Sequence, residues 1–364
     1  MTPDVALLGA GLMGRLLAVA LAREGYRVRL YEQGGPDGSL SAAHVAAAML
    51  APLAESVVSE PLVVALGLAS LKRWPDVLSQ LSEPVFFQQN GTLILWHSQD
   101  RDQAAMFSSR LRHMDAGLSP DDRPRDVSGA ELAALEPALE RRFPRGLFLP
   151  HEGQLDNRAL LSALLTELDQ LGVQCHWQTP MAPGEVNADW VIDCRGLGAR
   201  PDWRTVRGVR GEVLRVHAPD VRLTRPLRLL HPRYPIYIAP KPDGVYVVGA
   251  TQIESEDLSP TSVRSALELL SALYSVHPAF GEARILELAT QCRPALPDNL
   301  PEIRWDGHRL IQINGLYRHG YLIAPALLDA GLALIRRLSA GGMLSTEWRN
   351  SQCWPSLYHY SDAA

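Results

Sequence analysis

The chain has 364 residues, 46% of them hydrophobic, enough to bury a large core as two domains or one elaborated one. A net charge of −5 and an isoelectric point of about 6.1 leave no electrostatic footprint for nucleic acid or an anionic membrane. The cysteines Cys175, Cys194, Cys292 and Cys353 stand apart with no CxxC, which speaks for core thiols in a reducing compartment and against a disulfide or zinc framework. The chain runs into an apolar strand with no basic leader or cleavage site, and it has no apolar stretch of membrane-spanning length. A cytoplasmic location is the expectation.

Residues 5–8 predict a strand and residues 11–24 a helix, with Leu12, Leu16, Val19 and Ala20 at helical spacing. Between them lies Gly9-Ala10-Gly11-Leu12-Met13-Gly14, and Glu32 closes a second strand over residues 27–31. Strand, three-glycine turn, helix, strand and terminal acid together form the dinucleotide-binding fingerprint. Gly9 permits the tight turn, Gly11 lets backbone approach a pyrophosphate at the helix N-terminus, and Gly14 lets the helix pack close to the strand. Glu32 can accept both hydroxyls of an adenosine ribose.

A turn-rich stretch, 34–38, leads into the small-residue run 42–49, whose short side chains let the backbone lie against something flat and wide. The same run also reads as a plain Ala-rich helix. Residues 61–81 predict a helix, 91–96 a strand, 99–114 a polar-faced helix and 119–125 an acidic loop. Residues 157–171 predict another amphipathic helix, and 191–198 a buried strand ending in the glycine turn at Gly196. Residues 206–216, 236–240 and 245–250 suggest an antiparallel sheet, with Arg207, Arg210 and Arg215 on a solvated face. A helix over 262–274, a strand over 284–289, a strand over 310–315 and a helix over 325–338 with Pro325 in its first turn complete the chain.

Helix–strand units at both ends flank a strand-rich middle. The expected class is α/β, α+β overall: a discontinuous Rossmann-like domain (1–80, 145–200 and 300–345), an inserted, mostly antiparallel sheet domain (81–144 and 201–299) and a tail, 346–364.

The usual hydrolytic signatures are missing, and the eleven histidines do not cluster at ligand spacings, so no metal is expected. Arg293 and Arg318 stand out in apolar or glycine-rich surroundings. A guanidinium held there calls for an anion, which a substrate carboxylate would supply, unless it is exposed or paired to a distant acid. The segment 315–322 ends a buried strand and feeds a helix, so its N–H groups and the helix dipole can stabilise negative charge on a reduced flavin. Tyr237 can close the pocket with its phenol, or be a half-buried sheet tyrosine.

With these pieces in place the chain resembles the D-amino-acid oxidase family of flavoenzymes, most closely the glycine oxidases of the thiamine pathway. The resemblance covers nearly the whole length. It rests on the glycine turn with Glu32, residues 46–52, Gly153-Gln154-Leu155-Asp156-Asn157-Arg158, Gly249-Ala250-Thr251, Arg293-Pro294 with Pro297-Asp298, and residues 317–325. It implies FAD bound extended, with Leu12 and Met13 at the pyrophosphate and Glu32 and Gln33 at the ribose; noncovalent attachment is the expectation, because a buried cysteine such as Cys292 most often serves packing. Ala42, Ala43, Ala47, Ala48 and Met49 would lie along the flavin and Met181 near the adenine. Leu316, Tyr317, Arg318, His319, Gly320, Tyr321 and Leu322 would surround the ring, with Gly196 and Gly315 among the cofactor residues. Arg293 matches the family's carboxylate-binding arginine, with Arg318 and Tyr237 as pocket partners.

The chain departs from the family in three places. His319 stands where asparagine is frequent, the run before Met49 is Ala-Ala-Ala without the usual glycine, and Cys292 lies near the position of a flavin-bonded cysteine in sarcosine oxidases. The implied reaction is oxidation of glycine, a small D-amino acid or N-methylglycine by hydride transfer to flavin N5. The imino acid then gives a 2-oxo acid and ammonia, with dioxygen as acceptor and hydrogen peroxide as product. A dehydrogenase passing electrons to a quinone or carrier and a noncatalytic dinucleotide-binding module are the alternatives. Assembly into homo-oligomers, common in the family, stays open.

Overall fold

The structure, a computed structural model, describes residues 2–112, 119–232 and 235–360. The end of the helix predicted over 99–114 lies outside the described residues. Its described part is Arg101–Arg112.

Asp4–Leu8 is buried along its whole length, as expected of an apolar run at the centre of a parallel sheet. The sheet around it has seven strands in the order Tyr358–Tyr360, Glu302–Trp305, Leu310–Asn314, Trp190–Asp193, Asp4–Leu8, Arg27–Tyr31, Gln174–His176. The last five run parallel, and Glu302–Trp305 pairs antiparallel with Leu310–Asn314. Parallel strands deliver their carboxyl ends to one edge. The chain therefore leaves Leu8, Tyr31, Asp193 and Asn314 beside one another, and the segments that follow are Gly9–Gly14, Glu32, Gly196 and Gly315–Leu322. In open α/β sheets that edge is where ligands bind.

A second sheet of eight strands has the order Arg284–Ala295, Arg207–His217, Val245–Gly249, Ile236–Pro240, Leu227–Leu230, Thr92–Trp96, Arg145–Leu149, Arg125–Ser128. Every pair in it is antiparallel except Leu227–Leu230 with Thr92–Trp96. Arg145–Leu149 belongs to the eight-stranded sheet, and Tyr358–Tyr360 joins the seven-stranded one.

Two sequence expectations need correction. Strand Arg207–His217 is buried on both faces, and Arg210 is only 5% exposed, so it is no part of a solvated face. Helix Val263–Val276 covers one side and the cavity described below lies on the other. The second correction concerns Pro325. The helix predicted to begin there starts at Gly320 and runs to Ser339, leaving the proline inside it. Proline has no N–H for the carbonyl four residues back. That carbonyl, on Tyr321, instead accepts the indole N–H of Trp74 at 3.0 Å, from the neighbouring helix Pro61–Ser79. Trp74→Phe keeps most of the packing and leaves the Tyr321 carbonyl buried without a donor. A loss of about 1–3 kcal/mol in urea unfolding is expected; an unchanged midpoint would show that the proline is tolerated without the indole.

Among the described residues, no helix is long and apolar enough to cross a membrane, and no group of His, Cys, Asp and Glu could hold a metal ion.

Candidate active site

A cavity of about 940 Å³ lies between the carboxyl edge of the parallel sheet and one face of the eight-stranded sheet. That is near the upper end of the usual range of about 300–1,000 Å³ for ligand sites. Gly9, Gly11, Leu12, Met13, Glu32, Gln33, Gly196 and the run Leu316–Leu322 line it from the parallel sheet. Ala42, Ala43, Ala47, Ala48 and Met49 line a second side, and Tyr237 and Arg293 come from the antiparallel sheet. Three anticipated residues lie outside the lining. Gly14 packs under Gly9, Met181 packs against the cluster of Ala6, Leu8, Val186 and Val191, and Gly315, at φ +80°, turns the chain against the Leu300 carbonyl.

The glycine turn has the shape of a cradle. Gly9 has φ +92°, and a Cβ there would lie 2.8 Å from the backbone of Arg195. Gly11 precedes helix Leu12–Arg23 and offers no side-chain cap, so the first helical N–H groups stay free for an anion. Glu32 accepts the N–H of Ala10 at 2.6 Å and of Gly34 at 2.9 Å, which ties the turn to the second strand. Its remaining lone pairs can still take ribose hydroxyls. Ala48 stands at φ +51° and Tyr317 at φ +50°, left-handed backbone that costs an L-residue about 1–2 kcal/mol. The all-alanine run thus puts an alanine where a glycine would sit relaxed. Both strained residues line the cavity, where such strain tends to collect. A dinucleotide therefore fits the residues present.

On the antiparallel sheet, register puts Arg228 opposite Tyr237 and Tyr237 opposite Gly249, with Arg293 opposite Val209 two strands away. Glycines make room for the large groups. A Cβ on Gly249 would meet the Tyr237 hydroxyl at 2.6 Å, and one on Gly211 would meet the Arg293 guanidinium at 2.2 Å. Burial raises the Tyr237 phenol above its ordinary value, so it stays a neutral donor.

The two singled-out arginines differ. Arg293 makes no ion pair among the described residues; its Nη1 donates to the Thr251 carbonyl at 3.1 Å and more weakly to that of Arg210 at 3.5 Å. Arg318 has a distant acid, with Nη2 2.9 Å from Glu55 Oε2. Arg228 reaches the other oxygen of Glu55 at 3.1 Å, and His319 Nδ1 lies 3.8 Å away. Burial opposes charge on Glu55, but Arg318, Arg228 and His319 outweigh it and hold the carboxyl below its usual value. Burial also pushes His319 down to about 4, with Glu55 opposing, so the ring is neutral at neutral pH. Sequence reasoning missed Glu55 and Arg228. The test that picked out Arg293 applies equally to Arg228 in Leu227-Arg228-Leu229-Leu230.

Below Glu55 lies a second carboxyl. Glu152 is 1% exposed and accepts the Ala54 N–H at 2.8 Å, bracing the short helix Pro52–Glu55. Burial lifts its pKa from 4.5 to about 7, with Glu55 adding to the rise. The folded protein therefore binds a proton that the unfolded chain has released between pH 4.5 and 7. This contribution is complete below pH 4.5 and fades as pH rises through 7, by about 3 kcal/mol in all. Glu152→Gln should lose that much less stability than wild type between pH 5 and pH 8 in urea unfolding. Parallel losses would refute the assignment.

The fold and site define a dinucleotide-binding oxidoreductase. Residues 4–328 match the model of the DAO family, FAD dependent oxidoreductase; the chain belongs to that family, and FAD is its cofactor. Over 334 residues it is 40% identical to a putative thiamine biosynthesis oxidoreductase ThiO of Rhizobium etli, spanning 92% of this chain and 96% of that one. In structure it is similar to iminodiacetate oxidase from Chelativorans, at TM-score 0.80 and 20% identity over 99% of this chain and 100% of the other. It is also similar to glycine oxidase from Geobacillus kaustophilus, at TM-score 0.77 and 24% identity over 94% and 96%. The two structural likenesses are likenesses of fold.

Proposed function

We propose that the chain catalyses oxidative deamination of a small amino acid such as glycine, a small D-amino acid or N-methylglycine, consuming dioxygen and water and yielding a 2-oxo acid, hydrogen peroxide and the amine, which is ammonia from a primary amino acid and methylamine from N-methylglycine. The observation that carries this reading is Arg293, a guanidinium without an ion pair among the described residues, opening on the cavity beside Tyr237. Its planar donor fork matches a carboxylate in two bonds. The glycine turn, Glu32 and the run Leu316–Leu322 would hold FAD noncovalently, and FAD would supply the hydride-accepting, oxygen-reactive chemistry there.

The chain's own residues bind and orient. Arg293 fixes the acid group, so that the Cα–H of the substrate points in one direction. Tyr237, as a neutral donor, closes the pocket over the same group, and Arg318 is held in place by Glu55. Such positioning can supply about 7–11 kcal/mol of a barrier. No side-chain base is needed when the amine binds neutral, which suits a site whose histidine sits at about 4. The names of the relatives, a thiamine biosynthesis oxidoreductase and a glycine oxidase, support the same reading.

The experiment is an anaerobic screen of flavin reduction with glycine, N-methylglycine and D- and L-amino acids, followed by peroxide measurement in air. Bleaching by a small amino acid with peroxide on re-aeration is expected. Bleaching without peroxide would point to another acceptor, and no bleaching by any of them would overturn the proposal.

A further inference from the structure

Resting on that reading of Arg293, we infer that Glu212, gripped by Arg210, is a positioning residue for the substrate carboxylate and acts through Thr251.

Strand alternation sets up the arrangement. In Arg210-Gly211-Glu212 the middle residue faces the cavity, and its missing Cβ leaves the space that the Arg293 guanidinium fills. Arg210 and Glu212 point to the other side, where both are buried. Their charges pair at 2.7 Å. Arg210 also donates to three carbonyls of one loop, those of Asp257 at 2.5 Å, Ser259 at 2.9 Å and Pro260 at 3.1 Å. It therefore pins the segment that leads away from Thr251.

Thr251 itself is held three times by Glu212. The Glu212 N–H donates to Thr251 Oγ1 at 2.9 Å, Thr251 Oγ1 donates to Glu212 Oε2 at 3.0 Å, and the Thr251 N–H donates to the Glu212 carbonyl at 3.3 Å. The carbonyl of this same residue then accepts from Arg293 Nη1 at 3.1 Å. Arg293 has no carboxylate to orient it among the described residues, so this carbonyl is its strongest polar restraint. Donation by Arg210, Thr251 and Ser265 outweighs burial and holds Glu212 in the charged form that accepts all these bonds. The buried pair is thus the fixed end of a chain from sheet to loop to anchor, and its sense is geometric: it aims the fork without touching the substrate.

The test is titration of the FAD holoenzyme with acetate, a carboxylate with no amine to react, read by the change in the visible flavin spectrum. Thr251→Val and Glu212→Gln should each weaken acetate about tenfold, the size expected for coupled neighbours. KM should rise in step while kcat changes little, and flavin content should be unchanged. Thr251→Ser, which keeps the hydroxyl, should restore wild-type affinity. In an Arg293→Lys background, where no fork remains to be aimed, Thr251→Val should add nothing. Equal weakening in both backgrounds, or none in either, overturns the inference. Should Glu212→Gln fail to fold, the Thr251 series decides alone. If Arg293→Lys binds acetate as tightly as wild type, the reading of Arg293 as anchor fails and this inference falls with it, an outcome distinct from additivity.

Discussion

Replacing Arg293 by alanine is expected to raise KM steeply and lower kcat/KM by about 2–5 kcal/mol, roughly 30-fold to several thousand-fold. The loss is that of a desolvated, hydrogen-bonded charge partner, since the acid group of a bound substrate would keep the Tyr237 hydroxyl but lose its paired cation. Arg293→Lys should recover little, because an ammonium is a point charge and cannot reproduce two parallel N–H bonds. Gly211→Ala tests the same group from the other side. A methyl there would intrude to 2.2 Å from the guanidinium, and the flexible arginine head can yield. The fold should then survive with little change in melting temperature, while KM rises as the fork is displaced. Steady-state kinetics on the substrate found in the anaerobic screen, with flavin content as a control, check all three variants. An unchanged KM in Arg293→Ala would remove the arginine from its role.

Local chemistry made the glycine turn legible. Strand Asp4–Leu8, the glycines, helix Leu12–Arg23 and strand Arg27–Tyr31 follow from apolar spacing and turn residues within a span of thirty positions. Arg293 was singled out for a different reason, a charge set among apolar residues, and the fold brings it to the cavity. What could not be read were partners fixed by long-range pairing: the Arg228–Glu55 contact joins positions 173 residues apart. The Arg210 error came from assuming that one face of a strand is wet, when helix Val263–Val276 and the cavity side bury both. Pro325 misled because a helix-start rule is local, whereas the donor that lets the helix begin earlier, Trp74, comes from another helix. Ala48 shows the same limit in the backbone. Nothing in a run of alanines says which one will take a left-handed φ.

Gly14→Ala is expected to abolish FAD retention and to cost about 3 kcal/mol or more of stability, at the severe end of overpacking. The added methyl would sit 1.8 Å from the Gly9 carbonyl oxygen and 3.0 Å from its carbon, so it meets backbone with no flexible side chain to move aside. Gly9 cannot retreat. Its N–H is tied to the Tyr31 carbonyl at 2.8 Å, and the backbone of Arg195 presses on its other side. Helix Leu12–Arg23 would have to lift away instead, pulling Leu16, Leu17 and Leu21 out of the core and carrying off the free N–H groups proposed to hold the pyrophosphate. Gly184→Ala is the control, because a Cβ there has no heavy atom within 4 Å and should leave flavin content and unfolding unchanged. The flavin-to-protein ratio and urea unfolding of the two purified variants check the contrast. A Gly14→Ala protein that keeps a full complement of flavin would mean that close packing of turn and helix is not what holds the cofactor.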